Sequence, residues 1–174
     1  YKRQIKIELF EEQPMCRLNL KTRSGEIESK MVSLNGVVFS AYGYEDSFYN
    51  SLPEFIPYNG IIEISEPING IDRIRLLMDR YTNEVFKEDL KIDQINAKNF
   101  PAEIGMPGQV IEIKTKRIPR ILLSAYDDFD EQINRLRYLL IRISVMGDPE
   151  VLKVDLSLKH SAAVQFKDPQ IRAF

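Results

Sequence analysis

Among 174 residues there is one cysteine, one histidine and no tryptophan. A lone Cys forms no internal disulfide, and one Cys with one His is too few for a zinc site of the usual Cys/His count. Charge of one sign is lacking as well: 24 Lys and Arg face 26 Asp and Glu, a formal net charge of -2. Nucleic-acid binders usually show a strong basic excess, so the balance speaks against nucleic acid as a partner. No apolar run approaches the roughly 18 to 20 residues needed to cross a bilayer. No internal repeat or low-complexity stretch is found. What is present is 44% hydrophobic and 29% charged residues, enough for a real core in one compact domain or two small ones. The first residue is Tyr1 rather than Met, which suggests a domain cut from a longer chain.

Turn signals divide the chain into short segments. Gln4 to Phe10 alternates apolar and polar residues with the period of a half-buried strand, and Met15 to Leu20 repeats this less strictly. Two β-rich runs from Met31 to Phe39 flank Asn35 and Gly36, the pair best suited to a two-residue hairpin with positive φ at both centres. Tyr42 to Asn59 is rich in aromatics, Gly and Pro and reads as an ordered loop; Ile61 to Ile64 is a short run. Ile71, Ile74, Leu77, Met78, Tyr81 and Val85 recur at helical spacing. Leu90 to Ile95 is a strand, and Asn99 to Gly108, with two Pro and two Gly, is a loop. Val110 to Ile113 and Ile118 to Leu123 read as paired strands.

A second helix follows, with Asp128 and Glu131 as a capping-box-like pair, an apolar stripe from Phe129 to Ile143, and Gly147 and Pro149 as its stop. Val151 to Leu158 alternates with Leu152, Val154, Leu156 and Leu158 on one face. A polar turn, Lys159 to Ser161, leads to a last strand, Ala162 to Phe166. The segment order predicts an α+β fold: a largely antiparallel sheet packed by two helices.

Chemistry-bearing constellations are thin. Any Ser/His/Asp or Cys/His mechanism must pass through His160, which sits in a turn where a solvated loop residue is the simpler reading. Cys16 lies within a strand pattern as a small buried hydrophobe. Asp127, Asp128, Asp130 and Glu131 lack the Gly and alternating ligands of an EF-hand loop, and a helix cap explains them. Lys114, Lys116, Arg117 and Arg120 lack interleaved aromatics and read as a solvated hairpin tip. Gly105 to Gly108 fits neither the dinucleotide nor the P-loop spacing. The expectation is a non-enzyme without a cofactor or metal.

What remains is binding. If Ala162 to Phe166 lies at the sheet edge, its unpaired N–H and C=O groups form a ladder for another strand. The small Ala162 and Ala163 would admit close approach. Two readings stand at this point: an open docking edge, or a strand that only completes the sheet or is covered by Asp168 to Phe174.

Four segments, in order, carry a family resemblance. Ile5 to Pro14 resembles the strand and Glu-x-x-Pro signature of the FtsQ/DivIB family of bacterial cell-division proteins, where a POTRA domain passes into a β-domain. Val32 to Ser40 is similar to the family's Val-Asp-x-x-Gly-x-x-Phe hairpin, with Ser33 in the Asp position. Leu52 and Pro53, with Gly60 after them, fit a Leu-Pro-x-Leu-x-Gly stretch. Val154 to Leu156 followed by Ala162 to Phe166 resembles the terminal Val-Asp-Leu-Arg-Tyr hairpin, although Ser157 and Leu158 replace Arg-Tyr and Lys159 to Ser161 lacks a turn glycine.

The resemblance spans Ile5 to Lys167. It implies residues 1–12 as the last POTRA strand and junction, 13–167 as the β-domain and 168–174 as a tail. It also implies a non-catalytic scaffold of the division machinery, the extracytoplasmic part of a single-pass inner-membrane protein whose partners are FtsB-like and FtsL-like division proteins. Carried over by position, the receiving surface is Leu158, Ser161, Ala162, Ala163, Val164, Gln165, Phe166 and Lys167, with part of the Phe129–Ile143 helix. Two alternatives stand beside it: another envelope-assembly adaptor with a POTRA-linked β-domain, and a small enzyme using His160 as its base.

Overall fold

A computed structural model of the chain describes residues 11–21, 25–58, 68, 70–83, 88–100 and 109–171. In chain order the elements are β1 (Pro14–Lys21), β2 (Ile27–Ser33), β3 (Val38–Ser40), α1 (Asp46–Ser51), β4 (Glu54–Ile56), α2 (Ile71–Asn83), a 3-10 turn (Glu88–Leu90), β5 (Ile92–Asn96), β6 (Val110–Thr115), β7 (Ile121–Ser124), α3 (Phe129–Val145), β8 (Val151–Asp155) and β9 (Ala163–Phe166). The strands expected over Gln4 to Phe10 and Ile61 to Ile64 lie outside the described residues, as does most of the Asn99 to Gly108 loop.

The nine strands form one sheet in the order β3-β2-β1-β4-β5-β6-β7-β8-β9. The fold is α+β, as expected, and the sheet is mixed. Neighbouring hairpins pair antiparallel, whereas β4 pairs parallel with β1 and β5, and β7 pairs parallel with β8. The parallel pairs β4/β5 and β7/β8 enclose α2 and α3, because parallel neighbours need a crossover long enough to hold a helix. Two βαβ units therefore sit inside a sheet whose turn signals suggested hairpins. The helix count is also corrected: α1 and β4 occupy the Tyr42 to Asn59 segment read as a loop, so there are three α-helices among the described residues.

The hairpin at Asn35 and Gly36 forms, but with a three-residue loop. Val32 pairs with Val38 and Met31 with Phe39. The Ser33 amide donates to Val37 O at 2.9 Å and the Gly36 amide to Ser33 O at 2.9 Å. Only Gly36 takes a positive φ, of 82°, as in a turn that ends on one left-handed residue. Ser33, fully buried, accepts the amides of Asn35 and Val37 on its Oγ, each at 3.2 Å, and this favours the longer loop over the two-residue form.

Helices α2 and α3 bury Ile74, Leu77, Ile133 and Leu136 against Ile95, Ile111, Ile113, Ile121 and Leu123 of the central strands. Arg73 joins the helices: its guanidinium lies 4.4 Å from the Phe129 ring centre and donates to Ala125 O at 2.7 Å and Asp127 O at 3.0 Å. Cys16 is buried beside Met78, with Sγ 3.6 Å from its Sδ. Burial pushes its thiol up to about 12, which makes it a poor nucleophile at neutral pH.

On the other face, Met31 alternates with the core residue Val32 and meets its cross-strand neighbour Phe39. The Tyr44 ring lies 6.3 Å from Phe39 and stacks on Phe48 at 5.6 Å. Aromatics of the supposed loop thus build a small second cluster over β2 and β3.

Candidate functional site

α3 begins where its sequence signal places it. Asp128 Oδ1 accepts the amides of Asp130 at 2.7 Å and Glu131 at 3.2 Å, so this carboxylate caps the helix. The start is tied to β7 by Gln132, a fully buried side chain that accepts Ser124 N at 2.8 Å and donates to Ser124 O at 3.1 Å. At the other end Gly147 and Asp148 turn left-handed, and the Asp148 amide closes on Ile143 O at 3.0 Å, a glycine-type helix stop.

Beyond that stop, β8 runs into the sheet and pairs with β9. β8 ends at Asp155, short of the expected Val151 to Leu158 strand, and a register shift falls between Val151 and Lys153. An extra residue in a strand resets its alternation, so Val151 rather than Leu152 faces the core ahead of Val154 and Leu156, while Leu158 lies past the end of the strand. Leu158 is 46% exposed.

β9 is the terminal strand of the sheet. Antiparallel pairs alternate between residues that exchange N–H···O bonds and residues that do not. Here the amides of Val154 and Leu156 bond across to β7, at Arg120 O and Leu122 O, and the Lys167 amide bonds to Glu150 O at 3.0 Å. With Asp155 opposite Ala163 and Val154 opposite Val164, the backbone groups of Ala163, Gln165 and Lys167 point toward β8. Those of Ala162, Val164 and Phe166 point outward. Among the described residues no strand pairs with that outer side. Asp168 to Ile171 forms a turn, and Ile171 is partly buried against the core.

The expected site residues therefore divide by what they offer. Ala163 and Gln165 expose their side chains on the open face, whereas Val164 and Ala162 rest partly on the core. Phe166 is 8% exposed: its side chain belongs to the core and only its backbone reaches the edge. Lys167 is tied to Glu150 twice, through its amide and through Nζ at 2.8 Å from Oε2. Of the α3 surface, Tyr138 (71%), Ile141 (60%) and Val145 (83%) form an exposed apolar stripe.

One residue of this region carries almost no signal in the sequence. Arg135 of α3 donates to three carbonyls of the β8–β9 connection: Leu156 O at 3.1 Å, Leu158 O, and Ser161 O at 2.7 Å. The connection lacks a turn glycine, and the guanidinium gathers its carbonyls in place of a tight turn. An Arg beside the buried Leu136 on a helix flank is the only hint, because its partners lie more than twenty residues downstream.

At the end of β8, burial works to raise the Asp155 carboxyl. Hydrogen bonds from Ser157 Oγ at 2.6 Å and Ser157 N at 3.2 Å, with Lys153 Nζ at 3.0 Å, outweigh this and hold it below the usual carboxylate range.

Other candidates disperse. His160 is exposed in the turn and, among the described residues, hydrogen-bonds to no carboxylate or hydroxyl. In the basic run, Arg117 pairs with Asp148, and Arg120 with Glu112 at 2.9 Å. A cleft of about 750 Å³ lies between the start of β1 and the outer side of α2, around Pro14, Leu34, Leu76 and Thr82, and includes no residue of the β8–β9 edge. No group of three or more His, Cys, Asp or Glu among the described residues could hold a metal ion. No described helix is long and apolar enough to cross a membrane.

No family model matches the chain. No curated protein matches it either.

Proposed function

We propose that this chain is a non-catalytic FtsQ/DivIB-type β-domain, a scaffold of bacterial cell division that takes up a strand of an FtsB-like partner along β9. The observation that carries the reading is the position of β9: terminal in a nine-stranded sheet, with outward backbone groups at Val164 and Phe166. An incoming chain gains main-chain hydrogen bonds there, while the exposed Ala163 and Gln165 side chains select what lies alongside.

Three further features support it. The resemblance ends on this hairpin. Ser33, the departure from the Val-Asp-x-x-Gly hairpin, accepts two turn amides on its hydroxyl, as an Asp carboxylate would. The apolar stripe on α3, the element that precedes the β8–β9 hairpin, offers more surface to a partner longer than one strand. An FtsL-like protein in the same complex and an upstream inner-membrane anchor, with this domain on the extracytoplasmic side, complete the proposal.

The test is calorimetry with the extracytoplasmic segment of an FtsB-like protein from the same organism, comparing the wild-type chain with Val164→Pro. The reading requires binding to be lost in the variant while its thermal unfolding stays near wild type. Undiminished binding to a folded Val164→Pro would remove the edge as the site.

A further inference from the structure

We infer that β9 also pairs with β9 of a second copy of this chain, giving a two-fold dimer with one continuous sheet. The inference rests on the register that the outward groups allow and is independent of any division partner. Ala162, Val164 and Phe166 point their N–H and C=O groups outward and their side chains toward the helix-covered face, while Ala163 and Gln165 face the other way. Residues directly opposite each other in an antiparallel pair share a face and share their hydrogen-bonding state. A second β9 therefore fits only where its own Ala162, Val164 and Phe166 oppose these three.

Centring the pair on Val164 meets that condition with complementary side chains. Val164 opposes Val164, a β-branched pair. Ala162 opposes Phe166, a small residue against a large one, and Ala163 opposes Gln165. Beyond the strand, Ser161 opposes Lys167 and His160 opposes Asp168, so no like charges meet. Centred on Val164, the edge is thus self-complementary. About six main-chain hydrogen bonds close the pair, and it occupies the same groups that a partner strand would use. Self-pairing and partner binding exclude each other, so the dimer is a resting state that a partner must displace.

Sedimentation velocity on the chain alone, from micromolar to millimolar concentration, tests this without a partner. The wild type is expected to pass from monomer to dimer, and Val164→Pro to remain monomeric. Two double variants at the exposed positions fix the register. Ala163→Glu with Gln165→Lys places opposite charges across the dyad and should tighten the dimer by roughly fivefold. Ala163→Lys with Gln165→Lys places like charges there and should abolish it. A monomeric wild type at every concentration overturns the inference, as does self-association that both double variants leave alike. Neither result touches the strand-uptake reading, which is measured with the partner segment.

Discussion

Arg135 of α3 lies with its Nη1 2.7 Å from the carbonyl of Ser161, on the far side of the β8–β9 turn. Together with its bonds to Leu156 O and Leu158 O, this contact makes the helix a jig for the hairpin that ends the sheet. A charged donor to several carbonyls is worth more than a neutral bond. Arg135→Ala is predicted to lower stability by about 2 kcal/mol, and amide exchange in β9 should rise by more than the global loss accounts for. Equal effects on β9 and on the central strands β5 and β6 would show that Arg135 only adds general stability.

Proline replacements separate the two sides of β9. The Val164 N–H points outward, so Pro there leaves the β8 ladder intact, as on edge strands whose N–H faces solvent. The Gln165 N–H points to β8, and Pro there removes a ladder bond. Gln165→Pro is predicted to lose about 3 kcal/mol of stability and Val164→Pro less than about 1 kcal/mol, by thermal or denaturant unfolding. The reverse order would mean that the strand presents its other set of amides.

Phe166 and its neighbours also part company. Its ring is in the core, so Phe166→Ala should cost about 3 kcal/mol of folding stability and change partner affinity little at a temperature where both proteins are folded. An affinity loss with unchanged unfolding would instead place the ring in the interface.

Gly36 meets two constraints at once. Its φ is 82°, and a Cβ built on it would lie 2.6 Å from Cγ2 of Ile71, the first residue of α2. Gly36→Ala is predicted to destabilise by about 2 kcal/mol through backbone strain and the clash, read by denaturant unfolding. A neutral result would mean that the hairpin tip can move off α2.

Asp155 sets a pH dependence at the hairpin. Its folded-state carboxyl is held below the ordinary range, so its contribution is present above the unfolded value of about 3.9 and is lost as pH falls through the lower folded value. The stability gap between wild type and Asp155→Asn should therefore shrink below about pH 4. A gap that does not vary with pH would contradict the carboxylate's role.

Local chemistry made much of this fold legible. The helix stripes, the Asp128 cap, the Asn35 and Gly36 hairpin and the final strand are written in short windows of sequence. The misreadings arose where partners are distant. α1 and β4 form because Phe39, Tyr44 and Phe48 pack together and because β4 finds β1 and β5 far away in sequence. The β8 register shift turned Leu152 off the core face, and the end of the strand at Asp155 left Leu158 in the exposed connection; no alternation rule could foresee either. The edge position of β9 follows from the order of all nine strands, and the Arg135 contacts follow from that order in turn.

The proposed function stands on a second chain pairing with the outward groups of β9. Amide hydrogen exchange at Val164, measured in dilute monomeric protein with and without the extracytoplasmic segment of an FtsB-like partner, tests it most directly. Strand uptake predicts fast exchange at Val164 in the free chain and strong protection in the complex, with Ala163 protected in both. A complex that forms while Val164 still exchanges as in the free chain would contradict the account.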